Sequence, residues 1–156
     1  LKMKTRVLAC LGAITLLVGG TAWAATDTDT LTVTATVVDS AQIISVGNIA
    51  FGNYDPTSAT ATDADGSVTV RATVGLGYTI HIGADRTMTD GTDTLAYELY
   101  SDGARSSVWG STLATGETYT SASNANVTYS IFGQIAALQD VGPGSYTDDV
   151  TITLEW

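Results

Sequence analysis

Hydrophobic and polar residues alternate with a period of two along most of the chain beyond residue 30. The run Leu31–Val37 alternates strictly between apolar residues and threonine, and Ser67–Val74 repeats the pattern. Alternation of this kind indicates strands with one buried face and one exposed face. Clear strands are therefore predicted at residues 31–37, 67–74, 78–82, 95–100, 127–132 and 150–156, with weaker candidates at 42–46 and 106–109.

Clusters of Asp, Gly and Pro separate these runs, which is typical of turns between strands. No window of ten residues has the period of an amphipathic helix. A series of short strands without intervening helices predicts an antiparallel β-sandwich or β-barrel. The predicted turns are Asp55-Pro56, Asp63-Ala64-Asp65-Gly66, Asp90-Gly91-Thr92-Asp93, Asp102-Gly103 and Gly142-Pro143-Gly144.

The first 24 residues have the composition of a secretory signal peptide. Lys4 and Arg6 precede the apolar run Val7–Gly20, and Ala22-Trp23-Ala24 matches an A-x-A cleavage site. We predict cleavage after Ala24, which makes residues 1–24 a signal peptide. The single cysteine, Cys10, lies in this segment. The secreted chain must then be stable without a disulfide.

The charge of the chain restricts its partners. All 16 acidic residues lie from Asp27 onward, and the only basic residues beyond the signal peptide are Arg71, Arg86 and Arg105. Three basic and 16 acidic residues give this part a formal net charge of −13. Such a surface repels phosphate backbones and anionic lipid, so we expect no nucleic-acid partner. The absence of lysine beyond Lys4 also excludes Schiff-base catalysis and a P-loop lysine.

The two ends of the predicted secreted chain are both strand-like. A polar segment, Ala25–Thr30, leads directly into Leu31–Val37, and the sequence finishes within a predicted strand. A terminal strand leaves an edge that something must cover. The N-terminal run either closes the sheet of its own chain or covers a neighbour, and the pattern leaves both open. The residues of the last strand that share one face are Val150, Ile152, Leu154 and Trp156.

The block Phe51-Gly52-Asn53-Tyr54-Asp55-Pro56 resembles the "FGxYDP" block of spore coat protein U domains. That family includes the major subunits of archaic (Csu-type) chaperone–usher pili and coat proteins of myxobacterial spores. Further blocks similar to the family follow in the same order and cover nearly all of residues 25–156. They are Gly66–Val70, Arg86–Met88, Leu95–Asp102, Trp109-Gly110, Phe132–Ile135 and Gly144–Thr153.

The resemblance implies an incomplete immunoglobulin-like antiparallel β-sandwich that a donor strand from a neighbouring subunit completes. Residues 25–38 would be the donor segment and 39–156 the pilin domain. A periplasmic chaperone would occupy the open groove first, and the next subunit would replace it at the outer-membrane usher. The implied donor residues are Leu31, Val33, Ala35 and Val37, and the implied groove residues are Val150, Ile152, Leu154 and Trp156.

Most members of the family carry two cysteines where this sequence has Ala41 and Ala72. The resemblance therefore implies that a disulfide has been lost and that these two residues are neighbours on adjacent strands. A disulfide typically contributes about 2–4 kcal/mol.

Few residues suggest chemistry. His81 lies between two isoleucines in an alternating strand and is expected to point away from the core. Asp63–Gly66 and Asp90–Asp93 contain the oxygen ligands that Ca²⁺ prefers, but neither has the EF-hand spacing. No nucleophile elbow is present. We therefore predict no catalytic residue, no metal site, no cofactor and no enzymatic activity, and expect the Asp-rich runs to be turns.

Aromatic residues and arginines have structural explanations as well. Tyr97, Tyr100 and Trp109 would suit a sugar-binding platform, but alternation places Tyr97 inward with its apolar neighbours and Tyr100 on the opposite face. Packing is therefore the favoured role. Arg86 and Arg105 are expected to pair with carboxylates.

The sequence thus predicts a structural subunit of an extracellular pilus, polymerised by donor-strand exchange for surface adhesion or biofilm. Its partners would be identical subunits, the chaperone and the usher, and it would reach the cell surface through the periplasm. The alternative is a self-contained secreted spore-coat or matrix β-sandwich. A third interpretation is a sugar-binding adhesin domain.

Overall fold

The computed structural model describes residues 24–156, so residues 1–23 of the predicted signal peptide lie outside the described residues. The described part contains nine strands and no helix, which confirms the predicted all-β class. The strands are β1 (Ala41–Gly47), β2 (Thr62–Ala72), β3 (Gly77–Ile82), β4 (Thr87–Thr89), β5 (Thr94–Ala96), β6 (Glu98–Tyr100), β7 (Glu117–Thr120), β8 (Val127–Ile135) and β9 (Ile152–Glu155).

Two antiparallel sheets form the sandwich. The first has the strand order β1-β2-β8-β6 and the second has the order β7-β3-β9, while β4 and β5 form a separate hairpin. The longest pairing joins β2 to β8 from Thr62↔Ile135 to Val70↔Val127. Since neighbours such as β2 and β8 are distant in sequence, the sandwich has the crossing connections that characterise immunoglobulin-like folds.

The core lies between the two sheets. Alternation points Val68, Val70 and Ala72 of the first sheet inward, and Ile80 and Ile82 of the second sheet meet them; all five are buried. Burying such a side chain contributes about 1.5–3 kcal/mol for Val or Ile. The core also contains the indole of Trp109, which is 2% exposed and donates its Nε1–H to the Ile80 carbonyl at 3.0 Å.

The predicted turn at Asp63–Gly66 is wrong, because these residues belong to β2. Ala64 and Gly66 continue the inward face of the strand. A Cβ at Gly66 would lie 2.6 Å from the Gly47 carbonyl oxygen, so only glycine fits where β2 passes this close to the end of β1. Asp63 and Asp65 point outward and bind Arg105 at 3.3 and 2.8 Å. Asp63 and Asp65 therefore belong to a strand and form its ion pairs with Arg105, although the residue types of this segment are typical of a turn.

Four other segments differ from the sequence pattern. The run Leu95–Tyr100 divides at Tyr97 into β5, which pairs with β4, and β6, which pairs with β8. The weak candidate at 106–109 forms only one bridge, between Val108 and Tyr100. The pattern does not predict the strands β4 and β7, because strands of three and four residues are too short to show a clear alternation.

Residues 24–40 form no strand and are exposed throughout. Leu31 and Val33 are 86% and 82% exposed. The strict alternation of Leu31–Val37 predicts a strand, but a strand is stabilised only when its N–H and C=O groups find an edge to pair with. The described residues show this row of apolar side chains without such a partner.

Three tyrosines join the two sheets. The hydroxyls of Tyr78 on β3 and Tyr129 on β8 are 2.6 Å apart, and the ring of Tyr119 on β7 stacks on Tyr129 with centroids 4.0 Å apart. Burial raises the pKa of Tyr119 to about 12 and also raises the pKa of Tyr129, to which the Tyr78 hydrogen bond adds. The folded protein thus favours the neutral phenols.

Tyr129→Phe should lower the free energy of unfolding by about 1–3 kcal/mol, because it leaves the Tyr78 hydroxyl without its partner. Tyr119→Phe is the matched control and should change it by less than about 0.5 kcal/mol, since no hydrogen bond of the Tyr119 hydroxyl is seen among the described residues. The wild-type stability should be fully present below about pH 10, the pKa of an unfolded tyrosine, and decrease as the pH rises beyond it. Urea titrations at pH 7 and 11 would test both points, and equal losses in the two variants would contradict the assignment.

Candidate functional site

The candidate site is a groove between β1 and β9. In the described part of the chain, β1 pairs only with β2 and β9 pairs only with β3, so each presents a free edge. The two strands lie beside each other without forming a ladder. Free edges present rows of unpaired N–H and C=O groups that can accept another strand.

The β1 wall of the groove exposes core-facing side chains. Ala41, Ile43 and Val46 are aligned with the buried residues Ala72, Val70 and Val68 of β2, and therefore face the core side. A bulge between Ile43 and Ser45 shifts the alternation by one residue, which brings Val46 onto the same face as Ile43. Nevertheless Ile43 is 36% and Val46 is 49% exposed. Beyond the buried Ala41, the inward face of β1 is thus partly uncovered.

The β9 wall contains the groove residues that the resemblance implied. Ile152 and Leu154 are aligned with the buried Ile82 and Ile80, and both are only half-buried. Val150 is also partly buried and packs with them against the core. Trp156 follows the end of β9 and is 61% exposed. The structure therefore brings three of the four residues together along the groove and leaves the indole at its end.

The groove deepens into a cavity at one end. Because Ala41 is aligned with Ala72, shortly before β3 begins at Gly77, the start of β1 lies beside the end of β9. At the opposite end, Gly47 and Val150 line a cavity of about 340 Å³. An adjacent cavity of about 680 Å³ shares four of its lining residues, so the open space continues past that end. The shared residues are Ile49, Phe51, Met88 and Tyr146.

The block Phe51–Pro56 builds this end of the groove. The Phe51 ring lies 6.1 Å from that of Tyr97 and is so close to Gly133 that a Cβ there would come within 2.9 Å of it. Gly52 has a φ of +70°, a conformation that favours glycine. Tyr54 donates to the Ala136 carbonyl at 2.9 Å and accepts from the Gln139 N–H at 2.8 Å. The Phe51–Pro56 block therefore has a structural role, since its side chains hold the surrounding loops in place. The sequence of the block alone did not reveal this role.

Arg86 links β6 to the end of β3 and to the segment that contains Trp109. It pairs with Glu98 at 3.3 Å and donates to the carbonyls of Gly83, Ile82 and Trp109. Its side chain is 11% exposed. The predicted pairing of Arg86 and Arg105 with carboxylates is confirmed, but both arginines are largely buried.

The other candidate residues do not form a chemical site. His81 Nε2 lies 3.5 Å from a Glu155 carboxylate oxygen, and the residue lies on the face of β3 opposite to the buried Ile80 and Ile82, as predicted, but its side chain is only 14% exposed. Within residues 24–156 no cluster of three or more His, Cys, Asp or Glu side chains could hold a metal ion. Over the same residues, no helix is long and apolar enough to cross a membrane. A sugar platform that includes Trp109 is wrong, because that indole is buried.

Ala41 and Ala72 lie directly opposite each other on β1 and β2, and both are buried. The Thr73 N–H donates to the Ser40 carbonyl at 2.9 Å just outside this pair. Opposed residues in an antiparallel ladder have Cα atoms about 4.5–5.5 Å apart, within the range that a disulfide needs.

The double variant Ala41→Cys/Ala72→Cys should therefore form a bridge in the oxidised, folded protein. It should raise the free energy of unfolding by about 2–4 kcal/mol relative to its reduced form. Thiol titration and thermal unfolding with and without reductant would measure this, and the single variant Ala41→Cys is the control for the substitution itself. Thiols that remain free in the folded double variant would contradict the register.

Comparisons with known proteins agree with this architecture. The sequence pattern of the Spore Coat Protein U domain matches residues 27–153. The chain belongs to the Spore Coat Protein U domain family. It is 33% identical over 175 residues to Protein U of Myxococcus xanthus, and the alignment covers 97% of each chain. The family resemblance inferred from the Phe51–Pro56 block and its successors is thus confirmed.

The fold has a counterpart among solved structures. A chain of the CsuC–CsuE chaperone–tip adhesion subunit pre-assembly complex, from the archaic chaperone–usher Csu pili of Acinetobacter baumannii, superposes with a TM-score of 0.57 and 19% identity. The match covers 78% of this chain and 40% of that chain. At this identity the likeness shows the fold, an immunoglobulin-like antiparallel sandwich.

Proposed function

We propose that this chain is the structural subunit of an extracellular pilus and that its copies polymerise by donor-strand exchange. The observation that carries the proposal is the groove between β1 and β9, whose core-facing side chains are exposed. Residues 39–156 form the pilin domain in this proposal, and residues 25–38 are the donor segment. The donor segment of one copy occupies the groove of the next and completes its core.

The donor row matches the groove in length and chemistry. Leu31, Val33, Ala35 and Val37 project to one side of an extended segment and the threonines to the other. The seven residues 31–37 span about 23 Å, the same as the seven residues of β1. Burial of Leu31, Val33 and Val37 contributes about 1.5–3 kcal/mol each. Backbone pairing with the free edges adds to that stabilisation.

The link between the donor segment and β1 is too short for the donor segment to enter the groove of its own chain antiparallel to β9, the direction that an immunoglobulin-like sandwich needs. A strand that completes the β9 sheet antiparallel to β9 runs parallel to β1, since β1 and β9 run in opposite directions. A parallel neighbour needs a crossover of a dozen or more residues. Only residues 38–40 separate Val37 from Ala41, and they reach about 10 Å. The donor segment of a second copy is not tied to this β1 by a short link, so it can enter the groove in that direction.

The route to the fibre follows from the same features. Residues 1–24 direct secretion to the periplasm, where a chaperone covers the exposed groove before assembly at an outer-membrane usher. The fold counterpart from a chaperone–subunit complex supports this order. Adhesion or biofilm formation is the expected use of such a fibre at the cell surface.

A secreted coat or matrix protein is the second candidate, favoured by the match to the Spore Coat Protein U domain. It differs from the pilus in one physical respect, since a self-contained coat protein must cover its own groove. Residues 25–156 should be a stable monomer if the chain covers its own groove, and should need a second copy or a chaperone if it does not.

Residues 39–156 expressed alone should fail to give a stable monomer, because the open groove leaves core side chains in water. The same residues with 25–38 attached after Trp156 through a flexible linker should give a monomer that unfolds cooperatively, since the strand can then run antiparallel to β9. Size-exclusion chromatography and thermal unfolding would compare the two proteins. Cooperative unfolding of residues 39–156 alone at an ordinary mesophilic temperature would refute the proposal.

A further inference from the structure

The two ends of the groove differ in charge. Asp148 and Asp149 line the cavity at the Gly47–Val150 end. The β4–β5 hairpin adds Asp90 and Asp93 beside them, because Thr89 bridges to Thr147 and the Gly142 N–H donates to the Asp93 carboxylate at 3.0 Å. These four residues, Asp90, Asp93, Asp148 and Asp149, are called the acidic rim below.

Among the described residues, no arginine forms an ion pair with the acidic rim, and the partner of Asp148 is the neutral Tyr97 hydroxyl, which donates to its carboxylate at 2.6 Å. Arg86 is the nearest cation in sequence and already pairs with Glu98 and three carbonyls. Burial and the charges of Asp90 and Asp93 raise the pKa of Tyr146, as expected in a negative environment. At the other end of the groove, Glu155 lies beside His81, and Asp39 precedes β1. The negative charge is thus concentrated at the cavity end.

The direction of the inserted strand decides which donor residue meets the acidic rim. A donor antiparallel to β9 has its C-terminal part, Val37, at the end where β9 begins, which is the cavity end. Asp39 follows two residues later, about 7 Å further along. In the opposite direction, Asp29 would lie towards that end instead. The charge asymmetry of the groove therefore distinguishes the two directions.

We infer that the donor strand of a second copy enters with Asp39 against the acidic rim, so that the joint between subunits is weakened by like-charge repulsion and strengthened by salt. This inference rests on the proposed function. It adds the direction in which the donor strand is inserted and the dependence of the joint on salt. Cations in the medium screen the repulsion, since the Debye length falls from about 30 Å at 0.01 M to about 10 Å at 0.1 M. Fibre assembly is accordingly coupled to the ionic strength outside the cell.

A peptide competition tests the inference on the full chain. Residues 25–156 are refolded from denaturant with an excess of two amidated peptides of residues 26–41, one wild type and one with Asp39→Asn, carrying different N-terminal fluorophores. The captured ratio is measured at about 20 mM and about 500 mM NaCl. The peptide with Asp39→Asn should be captured about three- to tenfold more at low salt and nearly equally at high salt. A chain with Asp149→Asn should show a smaller preference.

A peptide with Asp29→Asn is the positional control. Equal capture of the wild-type and Asp39→Asn peptides at low salt would overturn the inference. A larger preference for the Asp29→Asn peptide would also overturn it, because it would show the opposite strand direction. Capture of no peptide at either salt concentration would instead refute donor-strand exchange itself.

Discussion

Val33→Asp should abolish fibre formation, whereas Thr34→Asp should leave most of it intact. In the proposed joint Val33 enters the core of the neighbouring subunit, and an aspartate there would bury an unpaired charge. Thr34 points to the other side of the extended segment and stays in water. The two substitutions are adjacent and add the same charge, so their difference measures burial alone. Electron microscopy of surface fibres would show the result.

Both variants should still be recovered as chaperone-bound subunits, because in this proposal a subunit's donor strand does not contribute to its own core. Fibres of normal length from Val33→Asp would show that Leu31–Val37 is not the donor strand. If Val33→Asp instead unfolds the isolated subunit, the segment belongs to its own sandwich and the coat-protein interpretation is the better one.

Trp109→Ala should lower the free energy of unfolding by about 3–5 kcal/mol, the largest loss expected for one residue of this core. The indole is almost completely buried, and its removal leaves both a cavity and the Ile80 carbonyl without the Nε1–H donor. Since domains of this size are stable by about 5–15 kcal/mol, the variant should be marginal at 37 °C. Chemical denaturation of the strand-complemented monomer would measure the change.

Trp156→Ala is the matched control, since the same truncation at a largely exposed indole should cost less than about 1 kcal/mol. Comparable losses in the two variants would mean that Trp156 is buried in the completed sandwich. That outcome would extend the groove to Trp156, with the inserted strand covering an indole that is exposed in the single chain.

The sequence pattern predicts the core-facing parts of β2 and β3 well, because Val68–Ala72 and Tyr78–Ile82 alternate and each strand lies between two neighbours. It fails where a distant residue changes the local preference. Asp63 and Asp65 look like a turn until Arg105, forty residues away, binds them on the outer face of β2. Periodicity holds no information about such a contact.

The candidate site shows the same limit. The residues of the β9 wall could be chosen from alternation, since Val150, Ile152 and Leu154 recur every second position. The β1 wall could not, because the bulge at Ile43–Ser45 interrupts the alternation and moves Val46 to the inward face. Alternation does not reveal the cavity end either, since that end is assembled from the Phe51–Pro56 block and the loop before β9.

The burial of the arginines has a consequence for proteolysis. Trypsin cleaves after lysine or arginine, and residues 25–156 offer it only Arg71, Arg86 and Arg105. Arg86 and Arg105 are 11% and 15% exposed, and Arg71 lies within β2, opposite Gln42 in the ladder with β1. Arg86 and Arg105 lie outside the strands, so cleavage after them requires their ion pairs with Glu98, Asp63 and Asp65 to break, whereas cleavage after Arg71 requires β1 and β2 to separate. Tryptic cleavage of this domain therefore reports the loss of these contacts, and a folded domain in which they are intact is expected to resist enzymes of that specificity.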